Sequence, residues 1–157
     1  MFKSPIEFGK VRFAHKGTFD MNRVLNVISD WINSHEYDYS EKENAEKAVR
    51  RGTEAVIKFN GERKITEHLL FSIDGEINTY QMKRKGKLQT GELVVKIAAE
   101  LQMDYKEEWE TSQFMAFLLF LYHNTIMRPT IRRYVEKLDV EFSQLQDVTK
   151  EAMELYT

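Results

Sequence analysis

From Glu92 to Tyr105 the chain alternates without a break for fourteen residues. Leu93, Val95, Ile97, Ala99, Leu101, Met103 and Tyr105 share one parity. Glu92, Lys96, Glu100, Gln102 and Asp104 share the other, with Val94 and Ala98 as small apolar intrusions. A period of two over that length predicts a long strand with one dry and one wet face. Something must cover the dry face, and a largely helical pattern follows at once. The chain is therefore expected to fold as an antiparallel sheet with helices on one side.

Upstream, Phe8, Val11 and Phe13 alternate with Lys10, Arg12 and Lys16, which predicts a short first strand with a basic outer face, ended by Gly17 and Thr18. Asp20 is placed to cap a helix running to Ser34, whose Val24, Val27, Ile28, Trp31 and Ile32 form one stripe. The stretch Ser40–Arg51 is ambiguous. Ser40 and Glu43 match a capping box, yet the segment has almost no apolar face and equally suits a charged edge strand. From Thr53 the period of two returns through Ala55, Ile57 and Phe59, and again through Leu69, Phe71, Ile73 and Ile77. Asn60-Gly61 and Asp74-Gly75 are turn dipeptides by composition and predict either hairpins or bulges. Lys83-Arg84-Lys85-Gly86-Lys87 reads as a basic hairpin tip before the long strand.

Beyond the long strand, Ser112 is a helix cap, and the run from Phe114 to Tyr122 is apolar on every side, as in a buried helix. Nine apolar residues fall far short of the ~20 that span a bilayer, so no membrane span is expected. Arg128-Pro129 marks a kink or a restart. After it, Ile131, Val135, Leu138, Phe142, Leu145, Thr149, Ala152 and Tyr156 follow a four-three seam suited to in-chain packing or to a homodimer.

The chain's 157 residues, with two prolines and scattered glycines, give no sign of a boundary, so one domain over 1–157 is expected. A net charge of −2 argues against bulk electrostatic attraction to nucleic acid and leaves room only for a local patch. Cysteine is absent, which removes disulfides, thiol catalysis and Cys-ligated zinc together. The N-terminus shows no apolar leader, and a cytoplasmic location is expected.

The four histidines, His15, His35, His68 and His123, lack the spacing that sets two ligands on one helix face. Glu107, Glu108 and Glu110 crowd Trp109, a grouping that suits a helix start as well as a paired-carboxylate site. No catalytic residue, metal or cofactor is assigned. Two binding sites are. An apolar groove between sheet and C-terminal helix would be lined by Phe71, Ile97, Phe117 and Leu121 and would hold a small apolar ligand. An anion site would use Lys83, Arg84, Lys85 and Lys87 with Arg128 and Arg132, the last two sharing a helix face.

The order Asp38-Tyr39-Ser40-Glu41-Lys42-Glu43, then Glu62-Arg63-Lys64, Lys87, Gly91-Glu92-Leu93-Val94-Val95, Asp104-Tyr105 and Trp109-Glu110 resembles a group of small archaeal proteins of uncharacterised function. That resemblance implies an edge strand at Ser40–Lys47. The layout is also similar to the helix-grip architecture of START-like domains, in which a long C-terminal helix lies across a bent antiparallel sheet over a cavity. It implies a ligand-binding layout without carrying catalytic residues.

The combined expectation is an α+β domain. A curved, meander-like sheet of five or six strands is covered on one face by an N-terminal helix and a long, Pro-kinked C-terminal helix. A binding module with the apolar groove comes first. An anion- or RNA-contacting protein comes second, and a START-like enzyme with a carboxylate or His in the cavity third.

Overall fold

A computed structural model describes residues 6–65, 69–103 and 128–154. Five strands and two helices follow in order: β1 (Ile6–Phe19), α1 (Met21–Ser34), β2 (Asp38–Val49), β3 (Gly52–Lys64), β4 (Leu69–Lys85), β5 (Leu88–Met103) and α2 (Arg128–Met153). The strands form one curved, open antiparallel sheet in the order β1-β5-β4-β3-β2. β2 to β5 are a meander of sequential neighbours, as short connections favour. β1 then docks on β5, so α1 must carry the chain from one edge strand to the other.

The alternation in β5 sets the inner face. Leu93, Val95, Ile97, Ala99 and Leu101 are buried and join Ile57, Phe59, Phe71, Ile73 and Ile77 in one core. α1 adds Met21, Val24, Ile28, Trp31 and Ile32 at the three-four spacing expected of its stripe. Its first turn is capped by Asp20, whose carboxylate accepts from Arg23 N. A second tether joins it to the sheet, where the buried Gln89 Oε1 accepts from Met21 N at 2.8 Å. α2 adds Leu138, Phe142, Leu145 and Ala152 from the four-three seam, and Thr149 lies buried among them. The described part of that stripe, Leu138 to Ala152, packs inside the chain. Pro129 is the second residue of α2, where a missing N–H costs nothing; the segment before the helix, including the run Phe114–Tyr122, lies outside the described residues.

Two sequence expectations change and one open reading is decided. The first strand is long, running to Phe19 with Gly17 paired to Gly91, so Gly17 does not end it. Ser40–Arg51 resolves toward the edge strand: β2 is exposed from Glu41 to Ala48, and its charges leave the edge unattractive to other strands. Asn60-Gly61 and Asp74-Gly75 are neither hairpins nor bulges. They lie mid-strand and directly opposite one another, Asn60 beside Asp74 and Phe59 beside Gly75.

Long-range packing explains why these turn residues sit in a sheet. A Cβ on Gly75 would fall 2.0 Å from Phe59 Cζ, and one on Gly61 would fall 2.9 Å from Ile32 Cγ2. The missing side chains let a ring from β3 and a branch from α1 press onto the backbone. Asn60 Nδ2 donates to Asp74 Oδ1 at 2.7 Å and to Ser72 Oγ at 3.1 Å, which satisfies a buried amide inside the ladder.

The Gly75→Ala variant should lose about 1–3 kcal/mol in urea unfolding through overpacking against Phe59. Combined with Phe59→Leu, the total loss should be clearly smaller than the sum of the single losses. Strictly additive losses would show that the ring does not occupy the glycine's space.

Candidate functional site

The proposed apolar groove has two of its four residues within the described structure. Phe71 and Ile97 are both buried on the inner face. The Phe71 ring meets Phe8 edge-on with centroids 5.1 Å apart and lies 5.8 Å from the Tyr37 ring. Phe117 and Leu121 lie outside the described residues, as do Glu107, Glu108, Glu110, His68 and His123. Of the remaining histidines, His15 is buried and its Nε2 hydrogen-bonds the Thr18 carbonyl at 2.9 Å. His35 stacks on Trp31 at 4.0 Å and hydrogen-bonds the Trp31 carbonyl through Nδ1 at 2.8 Å. Both serve the fold. Among the described residues no three metal-capable side chains gather.

Beside Phe71 lies a polar knot that fastens α2. Arg63 on β3 donates through Nη2 to Glu141 Oε2 at 2.9 Å and through Nη1 to the His35 carbonyl at 2.8 Å. The Tyr37 hydroxyl donates to the same Glu141 oxygen at 2.9 Å, and the Arg63 guanidinium sits 4.4 Å over the Tyr37 ring. Only 16% of the Arg63 side chain and 13% of the Glu141 side chain remain exposed, so the pair is largely screened from solvent by protein. Burial pushes the Tyr37 hydroxyl well above the ordinary tyrosine range. The Arg63 charge opposes that shift, and Glu141 adds to it. Tyr39 is pushed up to about 12 by burial and then by the Glu41 charge. Its buried hydroxyl oxygen has no hydrogen-bond partner of acceptable geometry, so Glu41 acts on it through charge.

The basic hairpin forms as expected. Lys85 pairs with Leu88 around Gly86-Lys87, and Lys83, Arg84, Lys85 and Lys87 are exposed. Arg84 is engaged by Glu46 of β2. Arg50 and Arg51, at the β2–β3 turn, stand at the same end of the sheet. Arg132 is exposed on α2, nine residues before Glu141, which is anchored at the opposite end of β3; Arg128 begins that helix.

A groove of about 550 Å³ lies elsewhere, on the outer face of the sheet. Its lining takes three consecutive residues from each of three strands: Lys10-Val11-Arg12, Lys96-Ile97-Ala98 and Asp74-Gly75-Glu76, with Lys58, Phe59 and Lys42 beyond. In each triplet the middle residue belongs to the inner face, and its neighbours project outward. The floor is therefore backbone, softened by the Ala98 methyl and the apolar stems of the lysines. Register builds the walls, since Arg12, Lys96, Glu76 and Lys58 stand in one cross-strand row and Lys10, Ala98 and Asp74 in the next.

The groove is electrostatically one-sided. Five cations face two carboxylates. Among the described residues Lys10, Arg12, Lys42 and Lys96 have no carboxylate partner, while Lys58 reaches Glu43 at 3.3 Å with both half-exposed. Asp74 is held in place by the Asn60 amide. Charge and N–H donation of this kind are the interactions an anion would need. Sequence parity alone had assigned Lys10 and Arg12 to the outer face of β1 and Lys96 to that of β5. It lacked the strand order that brings them to one place. No family model matches the chain, and neither does any curated protein.

The Tyr37 shift sets a pH dependence. Unfolded tyrosines ionise near pH 10. Above that pH the unfolded chain releases a proton that the folded chain retains, so stability present below pH 10 falls as pH rises. The urea midpoint of the native protein should decline more steeply between pH 9 and 11.5 than that of Tyr37→Phe. Parallel declines would show that Tyr37 ionises as freely folded as unfolded.

Proposed function

We propose that this chain is a binding module that takes an anionic ligand on the outer face of its sheet. The observation that carries the reading is the groove in which, among the described residues, Lys10, Arg12, Lys42 and Lys96 form no ion pair. Its five cations exceed its two carboxylates, and an incoming anion balances the difference. The net charge of −2 sharpens this, because the attraction is local and favours a compact ligand over a long nucleic acid. A volume of about 550 Å³ is that of a small-molecule site. A cytoplasmic setting suits a cysteine-free chain, and no helix among the described residues is long and apolar enough to cross a membrane.

A second reading rests on topology. The strand order β1-β5-β4-β3-β2, with α1 between β1 and β2 and α2 at the C-terminal side, supports the likeness to helix-grip domains. In that reading Phe71 and Ile97 are sheet-side walls of an apolar site completed by Phe117 and Leu121. Native mass spectrometry of the purified protein should then show a retained apolar molecule that organic extraction removes. A spectrum with only the bare chain would count against it.

The anionic reading is tested by titrating isotopically labelled protein with sodium pyrophosphate and following backbone amide resonances. Residues 10–12, 42, 58 and 96–98 should shift together, and added salt should weaken the effect through screening. Replacing Arg12 and Lys96 together by glutamine should weaken binding at least tenfold. Shifts confined to residues 83–87 would move the site to the hairpin and defeat the proposal.

A further inference from the structure

The charges in the outer groove are ordered as well as numerous. Lys10, Arg12 and Lys96 gather on β1 and β5, while Lys42 and Lys58 gather on β2 and β3. Between the two groups runs β4, which contributes Asp74 and Glu76. Across the lining of the groove the sequence of charge is positive, negative, positive, with Glu43 of β2 paired to Lys58 at the rim. Neighbouring strands are roughly 4.7–4.9 Å apart, so β5 and β3 are separated by roughly 10 Å and the two edges by roughly 19 Å.

We infer that the ligand is a linear small molecule with an anionic group at each end and a hydrogen-bond-donating or cationic centre. This rests on the anion-binding reading of the same groove. A uniformly charged polyanion fits poorly, because its middle would lie over two carboxylates that the fold holds in place. Asp74 has one oxygen committed to Asn60 and keeps the other for a ligand. Glu76 lies in the same row as Lys96 and Lys58, so a centre that donates to it puts the two ends beside those lysines. Like charges placed directly opposite are repulsive, which makes β4 the element that rejects the wrong ligand.

The test uses the full chain and three matched series of α,ω-dicarboxylates of increasing length. One carries a secondary amine at its centre, one a methylene and one a carboxylate, and a phosphonate-ended set separates carboxylate from phosphate recognition. Binding should be tightest for the amine-centred series, at least fivefold weaker for the methylene series and weaker again for the carboxylate series. It should peak at lengths that bridge β5 and β3 or the two edges. The double variant Asp74→Asn with Glu76→Gln should erase the difference between centres and tighten pyrophosphate binding, because two repelling charges are removed from the groove lining. Equal or tighter binding of the carboxylate-centred series, or of a short oligothymidylate, would overturn the inference. Pyrophosphate shifts with no preference for the centre would end this inference and leave the anion site standing. Loss of the pyrophosphate shifts themselves would end both.

Discussion

The largely buried pair of Arg63 and Glu141 fixes where α2 lies on the apolar face of the sheet. A long apolar helix can slide on an apolar sheet, because hydrophobic contact is non-directional. A charged pair at 2.9 Å, with a tyrosine hydroxyl on the same oxygen and a backbone carbonyl on the same guanidinium, fixes one position. A largely buried pair of this kind is weak evidence for stability, since desolvation offsets much of the attraction. Here it sets register: α2 is held to β3, and its apolar seam meets the core made by α1 and the inner face.

With both described helices on the inner face, the outer face of the sheet carries the charged side chains of the groove, and no described element covers them. Long charged side chains standing around a backbone floor make part of that face a groove. The depth is assisted by residues with little or no side chain, Gly75 in the floor and Ala98 in the wall. Sealing and binding are thus coupled through the same rows of residues. Phe59 fills the inner side of the position where Gly75 lacks a side chain, and Lys58, next along the strand, projects to the outer side. A chain with net negative charge still presents a groove whose lining holds five cations and two carboxylates, with Glu43 at its β2 rim paired to Lys58.

Much of the fold was legible in the sequence because it rested on local periodicity. The parity of Leu93 to Leu101 set the inner face, the stripe in α1 set its buried side, and the seam from Leu138 to Ala152 set that of α2. Residues whose roles are set across the sheet were not legible. Asn60-Gly61 and Asp74-Gly75 carry turn chemistry in isolation; only their facing positions show that one glycine makes room for a ring and the amide pairs with the acid. The groove was hidden for the same reason. Lys10, Lys42, Lys58 and Lys96 lie far apart in the chain, and each alone reads as a solvated strand residue. The contiguous run at 83–87 drew attention instead because adjacency is visible in sequence and cross-strand register is not.

In the proposed function an anion binds in the outer groove rather than at the hairpin tip. Amine acylation footprinting of the intact protein, with and without pyrophosphate, compares the two directly. The account expects the acylation of Lys10, Lys42, Lys58 and Lys96 to slow together while Lys83, Lys85 and Lys87 react as before. Slowing at the three hairpin lysines with the groove lysines unchanged would contradict it.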